Sequence, residues 1–168
     1  VTILQDRAVF EDEHTLLLVN SQKKITAEKI LIATGNRPTR EMGTSHVIPG
    51  GELCITSDEA FHLEKLPRRI VIQGGGYIAL EFAHIFHGLG AKVSLVYRGE
   101  KPLRGFDDDM RDALCASMQD RGLEVLLGCE FTKVEKRGNC LHVETNKGDV
   151  IECDQILLEE TLKALDAL

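Results

Sequence analysis

Residues 70–107 read IVIQGGGYIALEFAHIFHGLGAKVSLVYRGEKPLRGFD, and the order of features in them decides the fold. The apolar run Ile70-Val71-Ile72 passes directly into Gly74-Gly75-Gly76-Tyr77-Ile78-Ala79, a G-x-G-x-x-A turn between a strand and a helix. Each position has a physical reason. Gly74 permits the tight turn, Gly76 lets backbone approach a pyrophosphate, and Ala79 lets the helix pack closely on the strand. The free N–H groups and partial positive charge of the helix N-terminus then face the phosphates. Leu80, Ala83, Ile85, Phe86 and Leu89 form an apolar stripe, Gly90 suits the C′ position, and Lys92 to Tyr97 reads as the next strand. The turn therefore sits in a β-α-β unit.

The end of that next strand discriminates between dinucleotides. An NAD site carries an acid about twenty residues after the fingerprint to accept the ribose hydroxyls, and the 2′-phosphate of NADP would be repelled by it. The position is occupied by Arg98, with Lys101 and Arg104 following. A solvated basic loop would have the same composition, but its place favours recognition of the extra phosphate by charge-assisted bonds, worth roughly 1.5–3 kcal/mol each. The sequence thus predicts an NADPH site.

The chain has 168 residues, 43% hydrophobic and 28% charged, with a net charge of −7, which is soluble globular composition. An acidic surface argues against nucleic acid or an anionic membrane as partner, so Arg98, Lys101 and Arg104 are a local exception. No apolar run has the length of a membrane span, and VTILQDRAVF lacks a signal-peptide layout. A cytoplasmic protein is expected. Cys54, Cys115, Cys129, Cys140 and Cys153 show no CxxC or metal-ligand spacing, and the six histidines form no ligand pattern, so no metal is expected.

Short strands are predicted over Ala8–Glu11, Thr15–Val19, Lys24–Thr26 and Lys29–Ala33, the last an apolar run as in a strand buried on both faces. Residues 128–158 repeat the design: Phe131–Lys136, Leu141–Thr145 and Asp149–Cys153 form a meander, followed by the run Ile156-Leu157-Leu158. A shift of 126 residues places Asn20 on Asn146, Ile25 on Ile151, Ile30 on Ile156 and Leu31 on Leu157 without a gap, which indicates two related dinucleotide-binding units. The first has no glycine turn before it, so the chain is expected to start inside a domain. Residues 39–67 read as a crossing linker with one short helix after Ser57-Asp58-Glu59 that Pro67 ends. Asp107 to Asp109 cap a helix from about Met110 to Arg121, stopped by Gly122, before a strand over Leu123–Leu127. Leu158, Leu162, Leu165 and Leu168 recur at helical spacing and predict an amphipathic helical tail.

With ILIATGNRP, the glycine turn followed by YIALEFA, and VYRGEKPLRGFD in that order, the chain resembles the flavoprotein pyridine nucleotide-disulfide oxidoreductases, and within them the glutathione reductases. The resemblance reaches to about Leu158. Trypanothione reductases are similar around YRGE and LRGFD but usually carry an insertion between Leu89 and Val93. The resemblance implies that Gly74, Gly76, Ile78 and Ala79 hold the NADPH pyrophosphate turn, that Arg98 and Arg104 take the 2′-phosphate, that Tyr77 covers the nicotinamide site, that Glu81 lies near the carboxamide, and that Gly35 lies against FAD. From the residues alone, Tyr77 suits a lid or a staple on the helix start equally, and Glu81 suits a helix-dipole partner.

The expected fold is α/β: a Rossmann-like three-layer NADPH-binding domain with a β-meander over 68–158, partial FAD-domain strands over 1–38, a linker over 39–67 and a tail over 159–168. The redox cysteine pair and C-terminal acid/base histidine that the resemblance implies have no counterpart in this sequence. The chain is accordingly expected to be a fragment that binds NADPH without reducing a disulfide. Its partners would be NADPH and the remainder of a homodimeric flavoenzyme. The alternatives are a trypanothione-reductase-like or other NADPH-dependent disulfide reductase, and a non-catalytic piece that self-associates through the strand run Ile30–Ala33.

Overall fold

A computed structural model describes residues 1–38, 48–159 and 162–164. The backbone divides into two compact units, one of residues 1–37 with 163–168 and one of residues 38–162.

In the first unit, β1 (Ala8–Asp12), β2 (Thr15–Leu18) and β3 (Lys23–Thr26) form an antiparallel meander. Its register runs from Ala8 opposite Leu18 and from Leu18 opposite Lys23. These strands lie where the alternation predicts them. The strand predicted over Lys29–Ala33 does not form: the segment is irregular, with Leu31 88% and Ile32 52% exposed. A parallel strand needs neighbours on both sides to satisfy its backbone and cover its side chains, and no strand pairs with this run among the described residues. A short strand, β4 (Asn36–Pro38), follows.

In the second unit, 48–63 belong to the body of the domain, which departs from a plain linker. Ile48 and Cys54 are buried, Gly51–Leu53 is a 3-10 turn, and Ile55 pairs in parallel with Leu157. Apolar residues spread through a loop carry no periodicity, so this packing left no mark in the pattern. Helix α1 (Ser57–Ala60) is capped by Thr56, whose amide and hydroxyl both donate to the Glu59 carboxylate at 2.7 Å. It ends well before Pro67. Residues 39–47 of the predicted linker lie outside the described residues.

The strands β5 (Arg69–Gln73), β6 (Lys92–Tyr97), β7 (Glu124–Leu127) and β11 (Gln155–Leu158) make a parallel sheet in the order β11-β5-β6-β7. Helices α2 (Tyr77–Gly88) and α3 (Asp108–Asp120) cross between them. The meander β8 (Phe131–Arg137), β9 (Cys140–Thr145) and β10 (Val150–Cys153) is antiparallel.

Period-two alternation splits each parallel strand between two cores. Ile70, Ile72, Val93, Leu95 and Leu157 pack with Leu80, Ala83, Phe86 and Met118 on the helical side. Val71, Val96, Ile156 and Leu158 pack with Phe131, Val134, Leu141 and Val143 on the meander side. Fully burying one such side chain contributes about 1.5–3 kcal/mol. Helix, parallel sheet and meander are therefore the three layers predicted. At the lower end of the sheet, Arg69 joins two layers by pairing with Glu152 and Asp154, each at 2.7 Å.

The tail also departs from the expected helix. Leu162–Ala164 is a strand, β12, hydrogen-bonded to β4, and residues 160–161 and 165–168 lie outside the described residues. A leucine spacing of three or four is a weak helix signal over so few residues, because nucleating a short isolated helix is unfavourable. No helix among the described residues is long and apolar enough to cross a membrane. The five cysteines form no disulfide, and no group of His, Cys, Asp and Glu among the described residues could hold a metal.

Candidate dinucleotide site

The site forms where β5 ends. Its last residue, Gln73, is buried and accepts a hydrogen bond from the Phe131 amide through Oε1 at 3.2 Å, which fixes the strand end to the meander. Gly74 then turns the chain at φ +151, a region that disfavours side chains, and its amide donates to the Val96 carbonyl at 3.0 Å. A Cβ on Gly74 would lie 2.2 Å from the Glu159 carbonyl oxygen and 3.0 Å from the Ala79 Cβ. The tight turn is thus enforced by two neighbours, one of them the small residue that the fingerprint requires. Ala79 itself is completely buried.

Gly76 is the N-cap of α2, in extended conformation at φ −82, and a Cβ added there would meet nothing within 4 Å. No side chain caps this helix and its first turn holds no acid. Three or four backbone N–H groups at such an end have no partner within the helix, and the helix dipole adds to their positive potential. Open space, free donors and a first turn without acids together fit an anion such as a pyrophosphate.

The loop after β6 closes the other side. Its path is held by Leu103, whose amide donates to the Gly75 carbonyl at 2.6 Å while the residue sits at φ +53. A leucine in that region is strained by roughly 1–2 kcal/mol. The Tyr97 ring packs so tightly on the turn and the loop that a Cβ on Gly75 would lie 2.4 Å from it and one on Gly99 2.5 Å.

The result is a cavity of about 440 Å³ lined by the glycine turn, Tyr77, Tyr97, Arg98, Leu103, Arg104, Phe106 and Glu159. Arg98 and Arg104 are exposed and make no ion pair or hydrogen bond among the described residues. The neighbouring cations are engaged: Lys101 pairs with Asp112 at 2.7 Å, and Arg111 pairs with Asp108 at 2.6 Å and donates to the Pro102 and Lys101 carbonyls. Lys101, which lies between the two arginines in the sequence, is thus an anchor between loop and α3.

Of the predicted residues, Gly74, Gly76, Tyr77, Arg98 and Arg104 meet in this one cavity, and Tyr77 is 56% exposed at its mouth. Ala79 lies beneath the turn, and Ile78 packs against the helical-side core. Glu81 is exposed on α2 and outside the lining. Gly35 belongs to the first unit, exposed at φ +75 with open space around it. Sequence reasoning missed Tyr97, Leu103 and Glu159. Tyr97 was legible only as a strand end, and a positive φ at leucine leaves no sequence signal. Glu159 is the first residue of the tail, just past Leu158 where the resemblance stops, and no motif places it in the site.

A parallel β-α-β sheet with an open glycine-rich turn at its edge defines a Rossmann-like α/β protein. The chain belongs to the pyridine nucleotide-disulphide oxidoreductase family, whose model matches residues 1–159. It is 42% identical over 159 residues to trypanothione reductase of Leishmania donovani, covering 88% of this chain and 31% of that protein. To glutathione reductase of Burkholderia cepacia it is 43% identical over 133 residues, covering 79% and 28%. Among solved structures, the HOCl-induced flavoprotein disulfide reductase RclA from Escherichia coli matches 99% of this chain and 37% of its own, with a TM-score of 0.82 at 25% identity. The chain spans less than a third of the length of these two reductase relatives.

Proposed function

We propose that this chain is the NADPH-binding part of a glutathione-reductase-like flavoenzyme, and that alone it binds NADPH without reducing a disulfide. The observation that carries the reading is the uncapped N-terminus of α2 at the same cavity as two arginines that have no ion pair among the described residues. The turn Gly74–Ala79 and the α2 amides would hold the pyrophosphate. Arg98 and Arg104 would hold the 2′-phosphate, and Tyr77 at the mouth would cover the nicotinamide. The roles of Ile78 and Glu81, and of Gly35 against FAD, rest on the family resemblance. NADPH supplies a hydride when bound; the chain's own residues bind, orient and shield it.

In the complete homodimeric enzyme, FAD and a redox disulfide would carry the electrons onward to glutathione disulfide. Relatives of both substrate types are equally similar, so trypanothione disulfide is the alternative. A cytoplasmic setting is part of this reading. Calorimetric titration with NADPH and NADH tests the cofactor assignment, with tighter binding of NADPH expected. Arg98→Ala and Arg104→Ala should each weaken NADPH roughly tenfold to a hundredfold and leave NADH nearly unchanged. Equal affinities for the two cofactors would sink the assignment.

A second reading has its own observation. Leu31 and Ile32 are exposed in the first unit, and such an apolar segment favours self-association. Size-exclusion chromatography showing large assemblies that ignore NADPH would support it.

A further inference from the structure

One residue of the cavity lining is unlike the rest. Glu159 is the first residue after β11, and its amide donates to the Gln73 carbonyl at 2.9 Å, which extends the sheet by one step to the edge of the glycine turn. Its own carbonyl oxygen is the atom pressed on Gly74. The residue is only 6% exposed, lines the cavity, and keeps its Oε2 buried with no hydrogen-bond partner among the described residues. A buried carboxylate oxygen without a donor is costly in its charged form and much less so as a neutral acid. The same turn is where the free N–H groups of α2 would take a doubly charged pyrophosphate.

We infer that Glu159 makes dinucleotide binding proton-coupled: an anionic dinucleotide seated at the α2 N-terminus binds together with one proton from water, taken up by the Glu159 carboxyl. The step breaks no bond in the ligand and transfers no electrons. It rests on the dinucleotide reading proposed above.

The surroundings set the sign. Burial pushes the Glu159 carboxyl above the ordinary glutamate range, and Asp58 on α1 adds to this by like-charge repulsion; the Ser57 hydroxyl and amide oppose both. On the cavity side, the lining carries the cationic Arg98 and Arg104 and the aromatic Tyr77 and Tyr97. A bound pyrophosphate adds negative charge beside the turn, which disfavours a second anion there, so the bound state holds the proton to higher pH than the free state. Below the free-state titration both forms are protonated and affinity is flat. Between the two titrations, affinity falls by up to about tenfold per pH unit.

The test uses the full chain and NADP⁺, which carries the same phosphates and survives mild acid. Isothermal titration calorimetry from pH 5 to 8, repeated in two buffers of different ionisation heat, reads both affinity and proton uptake. The 2′-phosphate itself titrates near pH 6, but equally against every variant, so the readout is the difference between proteins. Glu159→Gln should lose the Glu159 share of the slope and the uptake, and at high pH should bind more tightly than the unaltered protein. Glu159→Ala should do the same, which guards against a folding defect peculiar to one variant. Identical slopes and uptake in all three proteins would overturn the inference while leaving the dinucleotide reading intact. Absence of binding heat from all three at every pH would overturn both.

Discussion

Leu31 and Leu157 stand at matched positions of two similar stretches, each after a three-stranded meander and each inside an apolar run. One is 88% exposed and the other completely buried. The runs are not chemically different enough to explain this; their neighbours are. Leu157 lies in β11, which pairs in parallel with β5 from Gln155 opposite Ile70 to Leu158 opposite Gln73. On its other edge, Ile55 donates to the Ile156 carbonyl and accepts from the Leu158 amide, each at 2.9 Å. Ile30–Ala33 has no such partner among the described residues. An apolar run is therefore a candidate for a buried strand, and pairing on both edges decides whether it becomes one.

The largest expected effect tests that difference directly. Leu157→Ala removes methylenes from a packed core and should cost about 2–5 kcal/mol. Leu31→Ala should stay within about 0.5 kcal/mol. Urea unfolding followed by far-UV circular dichroism measures both, and comparable losses would mean that the two runs share one environment.

The turns inside the two meanders sharpen the comparison at a smaller scale. Gln22 and Gly148 are matched, and both adopt positive φ, +55 and +84. The second turn closes with the Gly148 amide donating to the Thr145 carbonyl at 3.0 Å. The first uses a side chain for the same purpose, the Gln22 Nε2 donating to the Val19 carbonyl at 2.7 Å. Gly148→Ala should destabilise the second meander by about 1–2 kcal/mol, since the space is open and only the backbone conformation is penalised. Gln22→Gly should change the first by no more than about 1 kcal/mol, because relief of strain is offset by glycine's greater chain entropy and the lost bond. Amide hydrogen exchange across each meander distinguishes the two; a larger penalty at Gln22 would reverse the assignment of strain.

Much of the second unit was legible because its signals are local. The glycine turn, the Asp107 cap of α3, whose carboxylate accepts from the Asp109 and Met110 amides, and the stops at Gly90 and Gly122 all lie where their residue types predict. What escaped depends on distant neighbours. The burial of Ile48 and Cys54 needs the meander, the irregular path of Ile30–Ala33 follows from the lack of a pairing strand among the described residues, and the strand at Leu162–Ala164 needs β4. The candidate site divides the same way. Gly74, Gly76, Arg98 and Arg104 follow from spacing, whereas Glu159 enters the cavity only because β11 lies beside β5.

The smallest effect separates the two meanders by charge. In the first turn, the Asp6 carboxylate accepts from the Asn20 and Ser21 amides at 2.9 Å and from the Arg7 amide at 2.8 Å. These bonds, that of Asn20 foremost, hold its pKa down to about 2 against an ordinary 3.8. The matched turn uses no titrating group: the Asn146 side-chain oxygen accepts from the Glu130 amide at 3.1 Å, and the Asn146 amide donates to the Glu130 carbonyl at 3.0 Å. A depressed carboxylate stabilises the fold fully above its unfolded pKa, and that contribution is lost as pH falls from there through the folded value. In an NMR titration, the Asn20 and Ser21 amide shifts should move with a midpoint near pH 2, while those of Glu130 and Asn146 should not follow. Asp6→Asn should abolish the transition. A midpoint at the ordinary aspartate value, or the same movement at Asn146, would remove this distinction between the turns and leave strand pairing as the feature that sets the two regions apart.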